Sequence, residues 1–306
     1  MKIVEGLKLN FRRAVKPHDA RRKWLVGYAV VCVLFFLLLT SARFFFFGDV
    51  NYWSGLVDKM SAAVLLALIT AIVLAIVVPP ISFAEDLSVV DAWNIGPKLR
   101  EPLTRTREYW FRGRSGRWFR AQAIPTLAKA ARDENAQRLV HMILPDPDDS
   151  GVLETYARYR NSISSSADDR WTVSRIRSEI FATLLAAGMA QAGTQYFRPE
   201  VSLLTEFSLF RTDMSDVGLI MTREDPKWPG WISASGTKFY DSVKEDLRLA
   251  KERGRVINLS AAQWPRAVTR ADVPALLTQL GFATVLTPDE CKAVVNAIEV
   301  KVGPYG

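Results

Sequence analysis

Two long apolar runs dominate the first third of the chain, and short apolar segments alternating with amphipathic ones fill the rest. Residues 24–42 (WLVGYAVVCVLFFLLLTSA) carry no charge over 19 positions, and residues 60–84 (MSAAVLLALITAIVLAIVVPPISFA) carry none over 25. A helix of about 20 apolar residues crosses a bilayer. Neither run has the polar face of a surface helix, so both are expected as spans of a transmembrane hairpin. In the second run Ala63, Ala67, Ala71 and Ala75 recur every four residues and give one small helix face that another helix can approach closely. That partner is either the first span or a second protomer, and the latter would make a homo-oligomer.

Beyond the second run the pattern changes period repeatedly. Strands are predicted at 108–112, 138–144, 201–207, 217–222 and 255–259, where apolar positions are short and dense. Helices are predicted at 117–132, through Tyr156 and Tyr159, at 170–192 with a stripe of Trp171, Ile176, Ile180 and Leu184, and at 237–253. A polar stretch, 162–169, separates the second and third of these. Two small helices close the chain, the last opened by Thr287-Pro288-Asp289-Glu290, which combines an N-cap, proline at the first helical position and acidic residues in the first turn. Strand and helix in alternation predict an α/β fold. The expected architecture is a basic tail (1–23), a two-helix transmembrane hairpin (24–84), a connector (85–102), a mostly parallel three-layer α/β cytoplasmic domain (103–260) and a small C-terminal helical extension (261–306).

Charge orients this arrangement. Residues 1–23 hold eight Lys and Arg against Glu5 and Asp19, and residues 85–120 hold eight against five acids, whereas loop 48–59 has only Lys59 against Asp49 and Asp58. The positive-inside rule then places both termini in the cytoplasm and the hairpin in a bacterial inner membrane, with lipid as the first partner. The composition, 49% hydrophobic with a formal charge of +8 over 306 residues, excludes a disordered chain. Two cysteines far apart, Cys32 and Cys291, exclude a disulfide scaffold. The basic segments hold the whole excess charge, so the remainder of the chain is close to neutral.

Candidate chemistry concentrates at two places. Arg112-Gly113-Arg114-Ser115-Gly116-Arg117 lies between a predicted strand and a predicted helix, where glycines let backbone N–H groups approach an anion and the helix dipole and arginines add charge. A phosphate group is the natural guest, as part of a nucleotide cofactor or of nucleic acid; a solvated tight turn is the other reading of the same residues. Asp146 and Asp148 follow the second strand while Glu224 and Asp225 follow the fourth. Both pairs would project beyond carboxyl ends of strands, where open α/β sheets bind ligands. They can hold a divalent cation or a ribose, or serve as turn and capping residues. The two histidines, His18 in the tail and His141 in a strand, and the lack of any Cys-x-x-Cys leave little for a triad or a zinc site.

The segments YWFRGRSG, RLVHMILPDPDD, YARYR, RIRSEIFATLL and GLIMTREDPKWPG, in that order over residues 108–259, resemble degenerate phospholipase D-like domains. The catalytic families carry His-x-Lys-x4-Asp, whereas His141 is followed by Met142 and Ile143. The layout of basic tail, short hairpin and Rossmann-like domain resembles two-transmembrane effectors of bacterial anti-phage systems, those of retrons or of cyclic-oligonucleotide signalling. That resemblance implies a non-enzymatic sensor-effector whose soluble domain binds a nucleotide, nucleic acid or defence-system partner protein and controls membrane disruption through oligomerising hairpins. The alternatives are a membrane-tethered enzyme acting on phosphodiesters or nucleotides, and an assembly scaffold.

Overall fold

An eight-stranded sheet organises the larger part of the chain, its strands ordered from edge to edge as Ser88–Val90, Gly230–Ala234, Gly218–Thr222, Arg211–Ser215, Glu108–Arg112, Arg138–Pro145, Phe197–Leu204 and Arg255–Ile257. The computed structural model describes residues 27, 30–38, 40–41, 52–77, 86–163 and 170–300. These fall into two units, one up to Glu85 and one from Asp86 onward.

In the second unit, β1 (Ser88–Val90) and helix α2 (Ala92–Arg100) occupy the stretch expected as a connector. β2 (Glu108–Arg112) leads through a π-turn (Phe119–Ala123) into α3 (Ile124–Asp133), and β3 (Arg138–Pro145) leads into α4 (Ser150–Ile163) and α5 (Val173–Gly193). β4 (Phe197–Leu204) is followed by three consecutive strands, β5 (Arg211–Ser215), β6 (Gly218–Thr222) and β7 (Gly230–Ala234). α6 (Lys238–Arg253), β8 (Arg255–Ile257), α7 (Asp272–Gln279) and α8 (Pro288–Glu299) complete the unit.

Alternation along the strands separates two cores, as a period of two requires. Tyr109 and Phe111 of β2, Val140, Met142 and Leu144 of β3, and Val201 and Leu203 of β4 pack beneath α3, α4 and α5. Trp110, Ile143, Leu204 and Met214 point the other way, against Tyr240, Leu247 and Ala250 of α6. Helices thus pack against both faces of the sheet, an α/β arrangement. α5 is buried nearly all round, from Ile176 to Gly188, because the sheet covers one side and the C-terminal extension the other. Thr287 caps α8 through a reciprocal pairing with Glu290, as the sequence signals.

Two expectations are corrected. The sheet is mixed rather than mostly parallel: only β2–β3 and β3–β4 pair parallel, and the other five pairings are antiparallel. Hairpin-connected strands β5, β6 and β7 add beside β2 without crossover helices, which makes them antiparallel by geometry. The transmembrane hairpin, and with it the inner-membrane placement, is also overturned: among the described residues no helix is long and apolar enough to cross a membrane. Helix α1 (Tyr52–Val77), in the first unit, carries Asp58 and Lys59. The basic tail 1–23 lies outside the described residues.

Candidate functional site

β2 delivers the chain to a cavity of about 110 Å³ beyond its carboxyl end. The local fold explains how. The Gly113 N–H still bonds to the Ile143 carbonyl (3.1 Å), extending the ladder by one residue, and the chain then doubles back. A Cβ at Gly113 would lie 2.2 Å from the Phe111 ring, and one at Gly116 would lie 2.7 Å from Thr183 Cγ2. Gly116 also has φ +70°, a conformation that glycine adopts without strain. The Thr183 hydroxyl donates to the Ser115 carbonyl (2.8 Å), fastening the loop to α5. The glycines thus secure the loop against its own protein, and the arginines between them line the cavity.

Five guanidinium groups surround that cavity, Arg114, Arg117, Arg160, Arg211 and Arg223, with Glu224 as the one carboxylate in its lining. Arg114 is 6% exposed; its Nε lies 2.5 Å from Glu224 and its Nη1 donates to the Leu209 carbonyl (2.6 Å). Arg160 approaches the other Glu224 oxygen at 3.3 Å. Arg211 pairs with Asp213 (2.5 Å), which accepts the Tyr109 hydroxyl (2.7 Å). Arg117 stands 3.5 Å from Glu179, a carboxylate held mainly by buried Arg120 at 2.6 Å. Counting Asp213 and Glu179 behind the wall, positive charge still exceeds negative by two.

Aromatic rings space the cations. Arg175, Arg160 and Arg117 lie 4.2, 5.3 and 5.9 Å from the centre of the Trp171 ring, and Arg211 lies 4.7 Å from Trp118. Asn161 brackets the Trp171 backbone with two bonds, 2.8 and 2.9 Å, so the indole is fixed. The buried indole N–H groups of Trp118 and Trp171 find no hydrogen-bond partner among the described residues. Both residues line the cavity, and a buried donor without an acceptor is costly. Burial, and then the Glu224 charge, push the Tyr156 phenol up, so Tyr156 stays neutral near that carboxylate.

The sequence-derived candidates are distributed unevenly around this site. Arg114, Ser115, Gly116 and Arg117 line the cavity. Arg112 does not: its guanidinium pairs with Asp246 of α6 (2.9 Å) and with Glu206 (3.1 Å), because strand alternation sends it to the other face of the sheet. The acidic residues are not brought together. Asp146 pairs with Arg255 at 2.6 Å. Asp148 accepts from Arg255, from the Thr284 hydroxyl (2.6 Å) and from the Thr284 amide (3.0 Å). Glu224 belongs to the arginine cavity, and Asp225 closes a turn by accepting the Lys227 amide at 2.9 Å. Among the described residues no group of three or more His, Cys, Asp or Glu side chains is placed to hold a metal ion. Ala63 and Ala67 line a groove with Val31, Cys32 and Phe35 of the same unit; the side chains of Ala71 and Ala75 lie outside the described residues.

His141 lies on the face opposite the cavity, its ring centre 3.8 Å from that of Trp110 at a tilt of 31°, and is flanked by Glu108 (3.2 Å), Glu200 (3.0 Å) and Lys251 (3.2 Å). Burial and then the Lys251 charge lower its pKa, which favours a neutral ring joining three strands.

Arg160, Arg211 and Arg223 were not foreseeable as members of one site. They come from α4, from the start of β5 and from just past β6, and the antiparallel addition of β5 and β6 beside β2 brings the latter two to the loop at 113–117. No family model matches the chain and no curated protein is significantly similar to it, and with no described helix able to span a membrane, the resemblances to phospholipase D-like domains and to two-transmembrane anti-phage effectors are withdrawn.

Proposed function

We propose that the α/β unit is a binding module for a phosphate-bearing ligand, which it receives between Arg114, Arg117, Arg160, Arg211 and Arg223. The observation that carries this reading is the convergence of five guanidinium groups on one cavity with Glu224 as its lone lining carboxylate. Arginine's planar fork suits phosphate oxygens, and rigid, partly desolvated guanidinium groups lose little freedom on binding. Binding rather than catalysis is favoured because both Glu224 oxygens face arginines, so this carboxylate is a poor general base.

Calorimetric titration of the full chain with inorganic pyrophosphate and tripolyphosphate tests the proposal. Both anions are expected to bind, more weakly as salt rises. Arg117→Glu, at a half-exposed position, should weaken binding by at least about tenfold through charge reversal. Failure of the wild-type chain to bind either anion at low salt would refute the reading.

A further inference from the structure

A cavity of about 110 Å³ matches roughly three to four water volumes. It admits one or two phosphate groups, and whatever carries them must lie at its rim. One side of that rim is aromatic. Arg223, which lines the cavity, places its guanidinium 5.3 Å from the Trp228 ring centre and 5.2 Å from that of Trp231. Trp231 is fixed edge-on by Phe210, with centroids 5.4 Å apart at 81°. Trp228 is 53% exposed. Its backbone is nevertheless held, because its amide bonds to the Asp225 carbonyl (3.2 Å) and Asp225 also accepts the Lys227 amide. The structure therefore presents an open indole beside an anion cavity, with one arginine shared between them.

We infer that the ligand is a nucleotide, its phosphates among the arginines and its base stacked on Trp228. The inference rests on the phosphate reading above and adds the class of the ligand. Stacking suits the geometry because a base offers a flat π-face, and Arg223 can meet the α-phosphate while keeping its place over the indole. A phosphorylated protein side chain would use the cavity without needing a planar surface at its edge. The contact is tolerant of base identity, as stacking platforms are.

The experiment compares ATP with inorganic tripolyphosphate on the full chain, by calorimetry and by quenching of tryptophan fluorescence, in the wild type, Trp228→Ala and Trp228→Phe. The wild type is expected to prefer ATP by roughly tenfold, the order of one stacked base. Trp228→Ala should lose the preference for ATP over tripolyphosphate, and Trp228→Phe should keep most of it. Equal affinity of the wild type for ATP and tripolyphosphate would overturn the nucleotide assignment, and a preference that survives Trp228→Ala would overturn the stacking on Trp228, both leaving the phosphate cavity standing. Absence of tripolyphosphate binding would overturn both.

Discussion

The Glu224 carboxylate stands 2.5 Å from Arg114 Nε and 3.3 Å from Arg160 Nη1, within the lining of the cavity proposed to receive an anion. A side chain of the protein thus competes for two of the guanidinium groups that a phosphate would use. Glu224→Gln keeps the shape and removes the competing charge. Pyrophosphate affinity is expected to rise on the order of tenfold, ~1.4 kcal/mol. Weaker binding by the variant would instead mean that Glu224 holds the two arginines in their receptive positions.

Gly116 meets two constraints at once, a φ of +70° and a Cβ position 2.7 Å from Thr183. Gly116→Ala should lower the unfolding free energy by roughly 2 kcal/mol, the cost of a strained left-handed residue together with displacement of a packed side chain. Urea denaturation of wild type and variant measures it. An unchanged midpoint would show that the loop can leave α5 freely, and would remove the account of this glycine as a packing residue.

Asp148 ties the turn after β3 to the C-terminal extension. Burial works to raise its pKa, but the Thr284 hydroxyl, the amides of Ala283 and Thr284 and the Arg255 charge outweigh burial and hold the carboxyl below its ordinary value. A depressed folded-state pKa means that the stabilisation is present above the unfolded value, ~3.9, and is lost as pH falls through the folded value. Asp148→Ala should therefore cost about 1–3 kcal/mol at pH 7. The gap between variant and wild type should close progressively in thermal melts below about pH 4. A gap that is constant down to pH 2 would place the contribution in packing rather than in charge.

The legible part of the fold is the part in which local pattern and burial agree. The strand expected at 108–112 is β2, the helix expected at 237–253 is α6 within one residue, and Thr287 forms the cap that its sequence announces. β5 was illegible because Arg-Thr-Asp-Met-Ser has no apolar alternation. Its polar residues are buried yet paired, Arg211 with Asp213 and Asp213 with Tyr109. Missing β5 and β7 left the sheet looking parallel. It also hid part of the cavity wall, because Arg211 opens β5 and Arg223, just past β6, reaches the cavity only through the pairing of β6 with β5. The loop at 113–117 was found from its glycines and arginines, but its glycines serve packing, and strand alternation alone was enough to send Arg112 away.

The strand order has a consequence for how the chain assembles. Trp110 of β2 is opposite Met214 of β5, and Val89 of β1 is opposite Trp231 of β7, so both pairings join positions more than a hundred residues apart. During synthesis β2, β3 and β4 can associate as soon as residue 204 has emerged, yet one edge of β2 stays open until the β5–β7 meander arrives. Such distant pairings slow folding, because the entropy of closing long loops is lost before any contact is gained. For that interval the nascent protein carries an unsealed strand edge rich in aromatic residues, the form in which a chaperone would meet it and in which it is most prone to self-association.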